Sequence, residues 1–248
     1  MKIAFCIAGH VRRYEKAFVN FQQKFLNPLR KKHEVDLFLS VWDKRVENSS
    51  HGWQAGAYRD LESLSVNVDE LFSLYQPKSM VVDNYDKLKH LFLLSNFTNK
   101  RSNDIRYVVD GIWHPASAHY RRLQCSLLKQ DYEINNGFKY DLVLQWRPDL
   151  IIKNEINLNR LENFNPNVLH LHSASLQWDG HFWAGDCYAY GSSALTDELF
   201  QCFNYLKETA NMFGDPDNFQ SERTLYNYLS YKKVPISESF LIEWEVLR

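Results

Sequence analysis

Two short apolar runs, residues 3–8 (IAFCIA) and 35–42 (VDLFLSVW), bracket a stretch over 14–29 in which Phe18, Phe21, Phe25 and Leu29 recur at helical spacing. Runs this continuously apolar read as buried strands. A strand, a helix and a second strand in that order close in one sterically favoured way, as a right-handed βαβ unit with parallel strands. The chain is therefore expected to build an α/β fold from its first 42 residues onward.

The remainder continues the alternation. Residues 68–75 read as a short helix and 79–83 as a third strand. Residues 117–136 form the strongest helical pattern, with Leu123, Leu127, Leu128 and Tyr132 in register and Asn135-Asn136-Gly137 as its stop. A fourth strand is expected over 140–145 (YDLVLQ), a fifth over 168–172, and further helices over 195–207 and 220–231. Residues 48–56 read as loop, and the polar 96–110, with KRSND at its centre, as a surface loop or lid. No repeat or low-complexity linker divides the chain. The expectation is one α/β domain over 1–248, a mainly parallel central sheet flanked by helices, with its strands early and more irregular sequence late.

Composition removes several functions. Lys plus Arg is 29 and Asp plus Glu is 30, a formal charge of -1 over 248 residues, so no broad basic face for nucleic acid is expected. Gly is only 9, which argues against repeated glycine-rich loops. Aromatic residues reach 15%, enough to fill a core and also suited to stacking on sugars and bases. Cys6, Cys125, Cys187 and Cys202 form no CxxC pair and read as reduced thiols, which suggests an intracellular, cytoplasmic setting. Neither a signal peptide nor a membrane-spanning apolar run is recognisable.

Four constellations can carry chemistry. Ala8-Gly9-His10-Val11-Arg12-Arg13 follows the first strand, where open α/β sheets bind ligands; it reads equally as a diphosphate-binding turn or as a tight turn with solvated arginines. Arg147-Pro148-Asp149 follows the fourth strand. There a carboxylate can hold a divalent cation and Arg147 can neutralise phosphate, or the two can form a surface pair. Residues 178–188 (WDGHFWAGDCY) crowd aromatics around Asp179 and Asp186 and read as a wall for a polar ring, with either acid able to act as a base. Ser221-Glu222 reads first as a helix start with an acid in its first turn. His170 and His172 share a strand face and read as structural.

The residues resemble a family. KIAFCIAGHVRRYEKAF resembles the "SGQ-R" opening of small sugar transferases from bacterial capsule and lipopolysaccharide loci, with relatives in large DNA viruses. VDLFLSVWD is similar to that family's second strand. LLKQDYEINNGFKYDLVLQWRPDLII resembles its central signature, GDCYAYGSSALTDELF its "D-Q-F-A-x-G" segment, and SERTLYNYL its "PE-x-x-L" helix. Here Gln145 replaces an arginine, His10 a glutamine and Ser221 a proline.

The resemblance implies a GT-A-like, Rossmann-like fold, with residues 1–150 as the nucleotide-sugar-binding half and 151–248 as the acceptor-side half. It implies transfer of a sugar from a nucleotide-diphosphate sugar to a hydroxyl of a glycan or lipid-linked glycan, at the cytoplasmic membrane face if the acceptor is lipid-linked. In such folds a DxD motif holds Mn2+ or Mg2+ on the donor diphosphate. At the matching place only Asp149 is acidic, so it is the one expected metal ligand. Ala8, Gly9, His10, Arg12, Arg13, Arg147 and Asp149 are expected at the nucleotide and diphosphate. Asp186 is the first candidate for a catalytic group at sugar or acceptor and Glu222 the second. A non-catalytic nucleotide- or glycan-binding protein and a nucleotidyltransferase are the alternatives.

Overall fold

The structure, a computed structural model, describes residues 1–46, 63–96, 105–176, 182–206, 208 and 221–246. The chain starts as β1 (Lys2–Gly9), then α1 (Tyr14–Phe21), a π-helical turn (Gln22–Leu26), α2 (Asn27–Arg30) and β2 (Glu34–Trp42). A small ribbon of β3 (Lys44–Val46) and β4 (Ser63–Ser65) precedes α3 (Val68–Tyr75), β5 (Ser79–Asp83), α4 (Tyr85–Asn96) and the long α5 (Ile105–Asn136). Next come β6 (Leu142–Trp146), β7 (Leu150–Ile152), α6 (Leu158–Glu162), β8 (Leu169–Leu171), β9 (Ala174–Leu176) and β10 (Phe182–Ala184). The chain closes with β11 (Tyr188–Gly191), α7 (Ser193–Phe200) and its 3-10 extension (Gln201–Tyr205), α8 (Ser221–Tyr231), β12 (Ile236–Glu238) and β13 (Trp244–Val246).

The central sheet has seven strands in the order β12-β8-β11-β6-β1-β2-β5. Pairings of β1 with β2 and β6, of β2 with β5, and of β8 with β12 are parallel; β11 alone runs against its neighbours. The sheet is mainly parallel and flanked by helices, as expected. The chain moves outward from β1 through β2 to β5, then returns to the other side of β1 as β6. That reversal is a topological switch point at the carboxyl ends of β1 and β6, where open α/β sheets take ligands.

Alternation along β1 explains the two faces. Ile3, Phe5 and Ile7 enter a core with Phe18, Phe21, Phe25 and Leu29 from the first helical segment. Ala4, Cys6 and Ala8 face the other way, with Cys125 of α5 and Phe38. Large side chains on one face and small ones on the other let α5 lie close against the sheet. The Cys125 thiol donates to the carbonyl oxygens of Phe38 at 3.2 Å and Ile7 at 3.6 Å. The π turn lies just before Pro28, which has no N–H to continue an ordinary ladder.

Two expectations are corrected. Residues 96–110 are not one loop: α4 reaches Asn96, α5 begins at Ile105, and 97–104 lie outside the described residues. A helix, once nucleated, propagates through polar residues, so polarity alone did not exclude one here. The late sequence is also less irregular than expected, because β8, β11 and β12 complete the main sheet. The loop expected over 48–56 lies outside the described residues.

Helix α5 departs most from its pattern. Leu123 is buried, yet Leu127 is 39% exposed, while Ser117, His119, Arg121, Arg122, Ser126, Lys129 and Glu133 are buried. Its inner face is lined with charge held by partners. Lys129 Nζ meets Glu133 Oε2 at 3.0 Å, Ser193 Oγ at 2.5 Å and Asp197 Oδ1 at 3.0 Å, tying α5 to α7. Arg121 donates to the Val41 carbonyl at 2.9 Å, pairs with Asp83 and lies 4.2 Å from the Trp42 ring centroid.

Candidate active site

The adjacent carboxyl ends of β1 and β6 bring two of the sequence constellations together. Ala8 is the last buried side chain of β1. Gly9 has φ +136, a conformation that L side chains rarely adopt, and an added Cβ there would stand 3.5 Å from Pro148 Cδ. Glycine is required by this backbone conformation, and the turn it makes sets the loop after β1 against the loop after β6. His10 is half-buried, its ring centroid 5.2 Å from that of Tyr85 and 6.3 Å from that of Trp42. Arg13 has a left-handed backbone (φ 42) at the entrance to α1 and is exposed.

Arg147 and Asp149 form a bidentate pair, with Nε to Oδ1 at 3.0 Å and Nη2 to Oδ2 at 2.9 Å. Arg12 Nη1 adds a second guanidinium at 3.5 Å from Asp149 Oδ2. The Asp149 side chain is 2% exposed, so both of its oxygens are taken by arginine. Burial opposes the Arg147 charge, but Asp149 and then Cys187 and Asp186 outweigh it and keep the guanidinium firmly protonated.

Strand β11 runs antiparallel beside β6, so the residues entering it lie next to Arg147. The Arg147 N–H donates to the Cys187 carbonyl at 3.2 Å. Asp186 then faces two guanidiniums: Arg122 Nη2 at 3.0 Å from Oδ2, and Arg147 Nη1 at 3.9 Å from Oδ1. Its carbonyl accepts from Arg122 at 2.9 Å and from Gln145 at 3.3 Å. Burial alone would raise the Asp186 carboxyl, but Arg122 and then Arg147 hold it well below the usual carboxylate range.

Glu222, in the first turn of α8, responds oppositely. Burial, and next the Asp186 charge, push its carboxyl up to about 7, with Arg122 and Arg147 pulling the other way. His119 connects these pieces. Arg122 Nη1 lies 3.2 Å from His119 Nδ1. A guanidinium cannot accept, so Nδ1 must, which leaves the imidazole proton on Nε2, 3.4 Å from Ser221 Oγ. Burial and then Arg122 lower His119 to about 3, so it is neutral at ordinary pH.

The sequence constellations containing Arg12, Arg147, Asp149, Asp186 and Glu222 thus meet in one cluster, whereas Arg13 is turned to solvent. Trp178, Asp179 and His181 lie outside the described residues. His172 contacts Tyr188 through Nδ1 at 3.3 Å from its carbonyl oxygen and packs on Trp244. His170 stacks on Tyr190 at 4.7 Å. Arg122 and His119 were missed because they sit in a helix read for its leucines. Their only sequence signal is the unusual charge density of His119, Arg121, Arg122, Lys129 and Glu133 within one apolar-patterned helix.

A divalent cation does not suit these donors. Asp149 is closed by Arg147 and Arg12, Asp186 is occupied by Arg122, and among the described residues no three His, Cys, Asp or Glu side chains converge as a metal site. Among those residues no helix is long and apolar enough to cross a membrane.

No family model matches the sequence, and no curated protein matches it. Among solved structures, a galactosyltransferase, LgtC, in complex with donor and acceptor sugar analogues is similar over 96% of this chain and 73% of its own, at 13% identity and a TM-score of 0.45.

Proposed function

We propose that the chain is a glycosyltransferase moving a sugar from a nucleotide-diphosphate sugar to a hydroxyl of a glycan or lipid-linked glycan. The observation that carries this reading is a pairing at the carboxyl ends of the parallel strands. A cluster of guanidiniums, suited to a diphosphate, stands beside a carboxyl group whose proton affinity matches neutral pH. In this reading the backbone after Ala8, with Gly9, His10 and Arg12, receives the nucleotide and diphosphate, and Arg147 the leaving phosphate. Arg13, exposed at the entrance to α1, adds to the electrostatic approach of the donor.

The roles of the two acids are exchanged relative to the sequence ranking. Asp186 is a permanent anion that orders Arg122 and Arg147, and such a carboxylate is a weak base. Glu222 is the general base. It takes the proton of the acceptor hydroxyl as that oxygen bonds to the anomeric carbon and the carbon–phosphate-oxygen bond breaks, releasing nucleoside diphosphate. A base acting directly on the acceptor makes this an inverting displacement.

The test is a panel of UDP-, GDP-, CDP- and dTDP-sugars, read as nucleotide release and as a shift in melting temperature. One donor class is expected to stabilise the protein and to be turned over. The closed Asp149 favours a second reading, a non-catalytic nucleotide- or glycan-binding protein. Stabilisation without release, with or without acceptor glycans, would select that second reading.

A further inference from the structure

We infer that this site takes the donor diphosphate on guanidinium groups alone, with Asp149 acting as their brace and not as a metal ligand; the inference rests on the nucleotide-sugar reading above. Three observations converge. Asp149 is buried, and both of its oxygens are engaged by the Arg147 fork, with Arg12 as a second partner on Oδ2. A cation reaching Asp149 would have to displace that fork and remain beside two fixed positive charges.

Second, donors are left over. Arg12 Nε is buried and has no hydrogen-bond partner among the described residues, and a buried N–H without an acceptor is costly. Arg147 Nη1 is 3.9 Å from Asp186 Oδ1, beyond hydrogen-bond range, and the Arg147 side chain is 26% exposed. Phosphate oxygens are the acceptors whose charge and geometry suit these groups. Third, the charge balance leaves room for an anion. Arg12, Arg122 and Arg147 face Asp149 and Asp186, so these five groups leave one positive charge for an anion, which Glu222 offsets when it ionises.

Asp149 therefore acts as a positioning residue. It presents the outer edges of two arginines at the switch point, and the arginines supply the charge neutralisation that a divalent ion would otherwise provide. Lysine cannot replace Arg147, because a point charge cannot bond Asp149 through two nitrogens and still present a third.

The test uses the full chain and nucleoside diphosphates as probes. Titration calorimetry with UDP, GDP, CDP and dTDP is run in excess EDTA and in saturating Mn2+. Loss of the free-Mn2+ paramagnetic resonance signal on adding protein is followed separately with the metal alone and with nucleotide present, each against the same mixture without protein, because the nucleotide itself chelates Mn2+. The inference expects one nucleotide to bind with affinities agreeing within about twofold in the two buffers, and no uptake of Mn2+. Arg147→Lys and Arg12→Gln should each weaken binding by roughly tenfold or more, and Arg12→Gln, the milder change to the fold, serves if Arg147→Lys fails to fold. Binding that appears only with Mn2+, or Mn2+ uptake abolished by Asp149→Asn, overturns this inference and leaves the transferase reading standing. Failure of every nucleotide in both buffers overturns the transferase reading and this inference with it.

Discussion

Asp186 and Glu222 share one cluster of arginines, yet their environments separate their proton affinities. Asp186 is in direct contact with Arg122, whereas Glu222 feels the arginines from farther off and the Asp186 charge as repulsion. The separation carries two expectations. Turnover should rise with pH through about 7 as Glu222 ionises, and Glu222→Gln should remove that rise while cutting turnover roughly 10²-fold or more and sparing nucleotide binding. Stability should move the other way. The native state holds a proton on Glu222 that the unfolded chain releases from about 4.5 upward, so this residue's contribution is present below 4.5 and is lost as pH rises through about 7. The difference in urea-unfolding free energy between wild type and Glu222→Gln, measured from pH 4 to 8, should follow that window; a flat difference would remove the perturbed carboxyl. Asp186→Asn instead leaves Arg122 as a buried cation without its carboxylate. It should cost about 3–5 kcal/mol in the same unfolding measurement.

At the scale of elements, the short β9–β10 pair and the turn into β11 aim Asp186. Gly185 donates its N–H to the Ser173 carbonyl at 2.7 Å, and a Cβ on it would stand 2.2 Å from His172 Cε1 and 2.5 Å from Ser173 Oγ. His172 has little freedom to yield, because its Nδ1 contacts Tyr188 and its ring packs on Trp244. Gly185→Ala should therefore lower stability by about 1–3 kcal/mol, visible as a fall in melting temperature, and should weaken turnover by displacing the neighbouring Asp186. The sequence singled out residues 178–188 for their mixture of rings and acids, but not how Gly185 works, because its neighbour His172 lies thirteen residues earlier, in the bend between β8 and β9. Helix α5 shows the same limit from the other side. Apolar periodicity located its residues 117–136 and its stop, but not its start at Ile105. The pattern could not reveal that its inner face carries Arg121, Arg122 and Lys129, because burial of charge depends on partners such as Asp83, Asp186 and Asp197 that only the fold supplies.

Across the whole molecule, the main sheet joins the two halves read from the sequence. β6 lies before residue 150 and pairs with β11 beyond it, through Tyr188 to Trp146 and Gly191 to Val143. A fragment ending at 150 would expose that edge of β6 together with buried Leu142, Leu144 and Trp146. Expressed alone, it should aggregate or lack the cooperative melting of the full chain; a soluble, cooperatively melting fragment would count against one folding unit. Much of the architecture followed from sequence alone: the βαβ start, the positions of β1, β2, β5, β6 and β8, and the helix over 117–136 within α5. These are local properties, because apolar run length and the 3.6-residue period are dictated by the backbone of each segment. The tertiary structure decided the rest: that Asp149 is closed by Arg12 and Arg147, that Arg122 and His119 join the cluster, and that burial with the Asp186 charge raises the Glu222 carboxyl while Arg122 and Arg147 lower that of Asp186. Those outcomes depend on distances between charges far apart in the chain, and electrostatic interactions are set by separation in space and by exclusion of water.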